Sequence, residues 1–244
     1  MRFGGVMHAL VLALGLALWG TAVDAATSRS VTFRTDDGVT IAGTFYESAK
    51  HPAPAVILVH ALTRSKDDWQ TLAGHLADAG LHALAIDLRG HGQSASAPPG
   101  PDGEPDLTKM VLDIQAARAW LGTHGDVVKA SSIAIVGASI GANLAMVEAG
   151  NDPAIKGLVL LSAGQDYRAV RPEGAFRRFS PRPALFVAGS NDAYAVRSMK
   201  FFAAIGPGVR ETRTIEGGGH GPSLLAKDPS LAQALVDWLL RSLV

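Results

Sequence analysis

Three loops of the 244-residue chain hold side chains that could do chemistry together. The first carries Gly137-Ala138-Ser139-Ile140-Gly141, between the aliphatic run 132–136 and a helical stretch that begins near Ala142. A G-x-S-x-G turn from strand into helix, a nucleophile elbow, is so sharp that its serine takes a strained backbone. A side chain at Gly137 or Gly141 would then collide with neighbouring backbone. The turn lifts the Ser139 hydroxyl clear of the sheet and sets the Ile140 amide at a helix N-terminus, where it can donate to a developing oxyanion. Without these flanks the same five residues read equally well as an ordinary glycine-rich turn.

A serine hydroxyl is a weak nucleophile at neutral pH and needs a base, normally a histidine oriented by a carboxylate. The chain order that goes with this elbow is nucleophile, acid, histidine. His220 is the sole histidine after Ser139, in the aperiodic stretch Gly217-Gly218-Gly219-His220-Gly221-Pro222. The acid is expected in a loop at the carboxyl end of an intervening strand. Asp192, in Gly189-Ser190-Asn191-Asp192, is favoured, with Asp166 as the alternative, and either aspartate could instead be forming a turn. A second oxyanion donor is expected after the strand 55–59, with the Leu62 amide as first choice and Ala61 as the fallback. His60, in the same loop, reads as structural because the base position is already taken by His220.

The elements that must position these loops alternate between two periods. Residues 31–35 and 40–46 flank Asp36-Asp37-Gly38 and read as an antiparallel hairpin. Short apolar runs follow at 55–59, 82–86, 132–136, 157–161 and 184–187, with a weaker one at 211–215. Such continuous runs mark strands covered on both faces. Helical stretches at about 67–78, 107–121, 141–149, 194–204 and 229–243 lie between or after them. The expected fold is α/β: a mostly parallel eight-stranded sheet with helices on both faces and an N-terminal antiparallel hairpin. Residues 94–105, rich in proline, form a surface loop that is either a solvated connection or a wall of the substrate site.

Composition narrows the function. Lys plus Arg and Asp plus Glu number 22 each, without runs of like charge, so the electrostatic footprint of a nucleic-acid binder is missing. With no cysteine, disulfides, thiolate metal sites and a cysteine nucleophile are all ruled out. Only 18% of residues are charged, and the mean hydropathy is +0.19, so a membrane segment or a doubly covered sheet must absorb the excess.

Part of that excess lies at the N-terminus. Arg2 precedes an apolar run, 6–18, which is followed by Trp19-Gly20-Thr21 and then by small residues at Val23 and Ala25, the spacing of a secretory cleavage site. The run is too short to cross a hydrocarbon core, which takes about 20 residues. Residues 1–25 are therefore expected to be a signal peptide cleaved after Ala25. That leaves 26–244 as a single domain, exported to the periplasm or secreted, with no stable membrane span. Removing Arg2 and Asp24 keeps the charge balanced.

The ordered motifs resemble the α/β-hydrolase fold family. Besides the elbow, Asp87-Leu88-Arg89-Gly90-His91-Gly92-Gln93-Ser94 is similar to the D-x-R-G-H-G-x-S signature of that family, and the likeness runs from residue 31 to 244. The resemblance implies that this octapeptide is structural. It also exposes a departure: the family usually has His-Gly where this chain has His60-Ala61, a change that is tolerable if the local φ is negative.

The resemblance implies two-step acyl transfer, with Ser139 attacking a carbonyl, His220 taking its proton and Asp192 orienting His220. The Leu62 and Ile140 amides would hold the oxyanion, and water would release the acyl group without metal or organic cofactor. Dehalogenase chemistry would need a carboxylate in place of Ser139, and dienelactone-hydrolase chemistry a cysteine. Only about 22 residues, 162–183, separate the strands between which many relatives insert a lid. This is room for a loop and one short helix, so the substrate is expected to be a small-molecule ester entering an open site. Arg168, Arg171, Arg177 and Arg178 in this stretch suit an anionic substrate or plain surface solvation. Acyl transfer to an alcohol, peptide hydrolysis and non-catalytic ligand binding remain alternatives on the same scaffold.

Overall fold

Asp36, Asp37 and Gly38 turn the chain between β1 (Thr27–Arg34) and β2 (Thr40–Glu47), with Gly38 at φ 85° and its amide donated to Thr35 O at 2.8 Å. The computed structural model describes Met1 and residues 27–100 and 103–243. The expected signal peptide, apart from Met1, lies outside the described residues, as do positions 101 and 102 of the proline-rich loop.

The hairpin joins a larger sheet through β2, which runs antiparallel to β4 (His82–Ile86). The other strands are β3 (Ala53–Val59), β5 (Val128–Ala138), β6 (Ile155–Leu161), β7 (Ala184–Gly189) and β8 (Arg210–Ile215). Together they form one eight-stranded sheet in the order β1-β2-β4-β3-β5-β6-β7-β8, parallel from β4 onward. This is the expected α/β-hydrolase arrangement.

Side-chain alternation divides each central strand between two cores. Ile57, Leu84, Ile135, Leu160 and Phe186 point to one face. They meet helices α2 (Val111–Gly122), α3 (Ile140–Asn151), α4 (Glu173–Phe179) and α5 (Ala193–Ala203). Leu58, Ala85, Val136, Leu161 and Val187 point to the other. There they meet α1 (Gln70–Asp78), α6 (Ser223–Lys227) and α7 (Ser230–Leu243). Burial on both faces explains why these strands read as unbroken apolar runs.

Two features go beyond the sequence reading. Short 3-10 turns at Lys66–Trp69 and Leu107–Met110 lead into α1 and α2, and α6 is a separate helix after Pro222, too short for periodicity to reveal. Between β6 and β7 the chain forms a loop and α4. Phe176 and Phe179 of α4 pack into the core, so this helix lies against the body of the protein, and the described residues form no large cap over the sheet edge.

Candidate active site

Strand order creates the crevice. β3 lies between β4 and β5, so the loops leaving β3 and β5 at their carboxyl ends head to opposite sides and part from one another. Val59, at the end of β3, is in register with Gly137 of β5. Ser139 follows with φ 54° and ψ −121°, a conformation few non-glycine residues adopt. Two missing side chains make the turn possible. A Cβ on Gly137 would stand 2.4 Å from Gly141 O, and one on Gly141 would stand 2.5 Å from both Val59 O and His60 O. The elbow therefore presses against the end of β3, which brings the β3 loop beside the serine.

His220 Nε2 stands 2.8 Å from Ser139 Oγ, and His220 Nδ1 stands 2.5 Å from Asp192 Oδ2. A carboxylate can only accept, so Nδ1–H donates to Asp192 and Nε2 is left to accept from the serine hydroxyl. Asp192 is itself held, since it caps α5 by accepting from Ala195 N at 3.0 Å. Asp166, the alternative acid, is engaged elsewhere. Its carboxylate accepts from Arg171 Nε at 2.6 Å and Ala169 N at 2.9 Å, and the Arg171 bond holds its pKa below the ordinary value.

The β7 loop and the histidine loop are fastened residue by residue. Ser190 Oγ accepts from Gly217 N at 2.9 Å and Asn191 Oδ1 accepts from Gly219 N at 2.8 Å, immediately before the Asp192 contact with His220. From the other side, Gly221 N donates to Ser162 Oγ at 2.9 Å. Ser162 is fully buried at the end of β6, with φ 52°. These partners were not anticipated from sequence, because polar side chains bonding to distant backbone leave no periodic signal.

The amides expected to hold an oxyanion are free to do so. Neither Leu62 N nor Ile140 N has an acceptor among the described residues, and Ile140 opens α3, where the helix dipole adds to its donor strength. Ala61 needs no left-handed backbone, because the positive φ in this loop falls at Thr63, 62°. The Thr63 amide donates to His91 Nε2 at 3.1 Å. His60, fully buried, donates from Nδ1 to Ala61 O at 2.7 Å and accepts from Leu88 N at Nε2 at 2.9 Å. Burial pushes its pKa down to about 4, so it is a neutral strut for the loop.

The Asp87 to Ser94 stretch supports the same loop. Asp87 accepts from Lys66 N, Lys66 Nζ and Gln93 N, at 2.8, 3.1 and 2.9 Å. Arg89 reaches Asp37 in the hairpin turn and Asp113 on α2, tying β1, β2 and α2 to the end of β4. The Arg89 bond draws Asp37 down to about 2, whereas burial raises Asp113 to about 6 against the pull of Arg89.

A further loop, 162–170, arches beside His220. Asn143, one turn beyond Ser139 and fully buried, accepts from Gly164 N at 3.0 Å and donates to Val170 O at 2.9 Å, pinning both arms. An asparagine within the apolar first two turns of α3 is the sequence signal that could have revealed this. Tyr167 in the arch stands edge-on to His220, ring centroids 6.1 Å apart, and donates its hydroxyl to Ser162 O at 3.0 Å. Burial raises its pKa.

Consecutive residues divide the surface around the site. Ala61 and His220 line one cleft of about 750 Å³, and Leu62 lines another of about 740 Å³ together with Arg168 and parts of the proline-rich loop. That loop is thus a wall of a cleft beside the site.

A family model described as Hydrolase_4, serine aminopeptidase, S33, matches residues 50–180. The match includes the elbow and the Asp87 to Ser94 stretch and ends before Asp192. A polyketide transferase, ATR5, of Stachybotrys chlorohalonatus is 30% identical over 146 residues, 58% of this chain and 46% of the relative. Epoxide hydrolase A of Mycobacterium tuberculosis is 37% identical over 83 residues, 31% of this chain and 26% of the relative. The chain thus spans less than half the length of either relative. Among solved structures, the α/β hydrolase GrgF from Penicillium sp. sh18 aligns with TM-score 0.76 at 17% identity, over 89% of this chain and 99% of that one. The Pyrococcus furiosus esterase PF2001 aligns with TM-score 0.69 at 17% identity, over 90% and 92%. At these identities the structures speak for the fold.

Proposed function

The chain belongs to the α/β-hydrolase family that this model describes, and on that premise we propose that it is a serine hydrolase cleaving carboxylic esters through an acyl-enzyme. The observation that carries the reading is the unbroken run of contacts from Ser139 Oγ through His220 to Asp192, at 2.8 and 2.5 Å. In the first step Oγ attacks the ester carbonyl carbon while Nε2 of His220 takes its proton, and Asp192 stabilises the resulting imidazolium. The Leu62 and Ile140 amides donate to the oxyanion. His220 then returns the proton to the departing alcohol. A water molecule, deprotonated by the same nitrogen, releases the acid and restores Ser139.

Two clefts, one lined by Ala61 and the other by its neighbour Leu62, would give the two halves of an ester separate places to lie. The absence of a large cap favours small esters over long lipids. Residues 1–25 complete the reading as an export signal, which would place the enzyme in the periplasm or outside the cell.

The test is a panel of p-nitrophenyl acyl esters of increasing chain length, with wild type and Ser139→Ala. Turnover by wild type on at least one ester, abolished in the variant, is expected. No activity above the variant on any chain length would refute it. A second reading, peptide-bond hydrolysis, is favoured by the family description as a serine aminopeptidase. Aminoacyl p-nitroanilides in the same panel discriminate it, since preference for them over the esters would replace the first reading.

A further inference from the structure

The loop that arches beside the site carries a cation that no described residue pairs with. Four arginines lie between β6 and α4 or on α4, and three have fixed roles. Arg171 binds Asp166, Arg177 pairs with Glu173, and Arg178 reaches Asn151 Oδ1 at 2.8 Å. Arg168 makes no hydrogen bond or ion pair with any described residue, and it lines the cleft that Leu62 borders. Of the other positive groups of that cleft, Arg89 is tied to Asp37 and Asp113, and Lys109 lies within electrostatic reach of Asp106, which with Glu104 lines the same cleft.

Its position is built rather than incidental. Arg168 and Ala169 have φ of 49° and 70°, a left-handed pair at the tip of a tight turn that non-glycine residues adopt only under constraint. The constraint is visible. Tyr167 and Val170 exchange backbone hydrogen bonds of 3.3 and 3.0 Å, Asp166 Oδ1 accepts from Ala169 N, and Asn143 holds Val170 O. Asp166 thus fixes the turn with one oxygen and neutralises Arg171 with the other. That removes the carboxylate closest in sequence that could have quenched Arg168. The same turn places Tyr167 against His220, so Arg168 is the next residue after one that touches the catalytic base.

We propose that Arg168 is a specificity-determining residue that receives a carboxylate carried by the substrate, so that the preferred substrates are anionic esters bearing a free carboxylate in the cleft beside Leu62. A guanidinium offers a planar fork matched to a carboxylate, and a binding partner supplied by the substrate explains why no described residue pairs with it. The inference rests on the ester-hydrolase reading for its chemistry but not for its test.

The test has a kinetic and a binding arm. Mono-p-nitrophenyl adipate, carrying a carboxylate on the acyl side, is compared with its neutral methyl ester. 4-Carboxyphenyl butyrate, with the charge on the alcohol side, is compared with phenyl butyrate. Wild type is expected to prefer at least one anionic ester by tenfold or more in kcat/KM. Arg168→Ala should remove that preference chiefly through KM, leaving the neutral esters and the melting temperature unchanged. Arg168→Lys should restore it in part, and Arg177→Ala, which removes a cation paired with Glu173 on α4, should not reproduce the loss. Calorimetric binding of monomethyl adipate and dimethyl adipate to Ser139→Ala, with and without Arg168→Ala, reads the same contact without turnover. Equal affinity for the charged monoester and the neutral diester, or an equal loss of both on removing Arg168, overturns the proposal. Charge-selective, Arg168-dependent binding in a protein that turns over no ester would support the anion site and refute the ester reading instead.

Discussion

Asn191 Oδ1 accepts the amide of Gly219 at 2.8 Å, one residue before each member of the Asp192–His220 pair. The acid loop and the histidine loop are thereby joined as one unit. A Cβ on Gly189 would stand 2.3 Å from Gly219 O, so the two backbones meet with no room for a side chain. Asn191→Ala is expected to lower kcat about fivefold with little change in KM, since one positioning hydrogen bond is worth about 1 kcal/mol. A change confined to KM would place Asn191 in substrate binding instead.

The choice of acid is tested by two amide substitutions. Asp192→Asn should lower kcat by roughly 10³–10⁴-fold, because an amide no longer stabilises the imidazolium or its tautomer. Asp166→Asn should stay within about threefold, as expected for an exposed carboxylate paired to Arg171. Steady-state rates on one ester decide it, and a larger loss in Asp166→Asn would reverse the assignment.

Contact between the elbow and β3 gives a stability prediction. Gly141→Ala would drive a Cβ into Val59 O and His60 O. It should cost about 1–3 kcal/mol or more, the range for overpacking, and reduce activity by displacing Ser139. Gly74→Ala, on α1 where a Cβ meets nothing within 4 Å, serves as the control and should be neutral or stabilising by up to about 1 kcal/mol. Denaturant melts of the two variants check this, and equal effects would contradict the proposed contact.

His60 sets a pH dependence. Its folded pKa, pushed down to about 4 by burial, lies below the ordinary value of 6.5, so the unfolded chain takes up a proton first as pH falls. Its contribution is fully present above pH 6.5 and is lost between 6.5 and 4, by up to about 3 kcal/mol. Asp113, raised to about 6, acts in the opposite sense over part of this window, but it does so equally in a His60→Gln variant. Wild type should therefore lose more stability than His60→Gln between pH 7 and 4.5, and parallel curves would exclude the effect.

Expression with the full N-terminus in a secreting host should yield a chain beginning at Ala26, read by intact mass. Retention of residues 1–25 would exclude cleavage after Ala25.

The sheet was legible in the sequence because its central strands are buried on both faces and so read as continuous apolar runs, as at Ile57 and Val159. Ser139 and His220 were legible because glycines surround them where the backbone must bend or make room. Asn143, Ser162 and Asn191 were not, since each bonds to backbone between 21 and 59 residues away in sequence and local pattern cannot report such contacts. Nor did the sequence separate Arg168 from its three neighbouring arginines. Partners fixed by the turn of the chain made that distinction.

Labelling with a fluorophosphonate followed by peptide mapping tests the central claim most directly. The account predicts one adduct per chain, on Ser139, absent in Ser139→Ala and formed far more slowly in His220→Ala. An adduct on another residue, or ester turnover by wild type without labelling of Ser139, would contradict it.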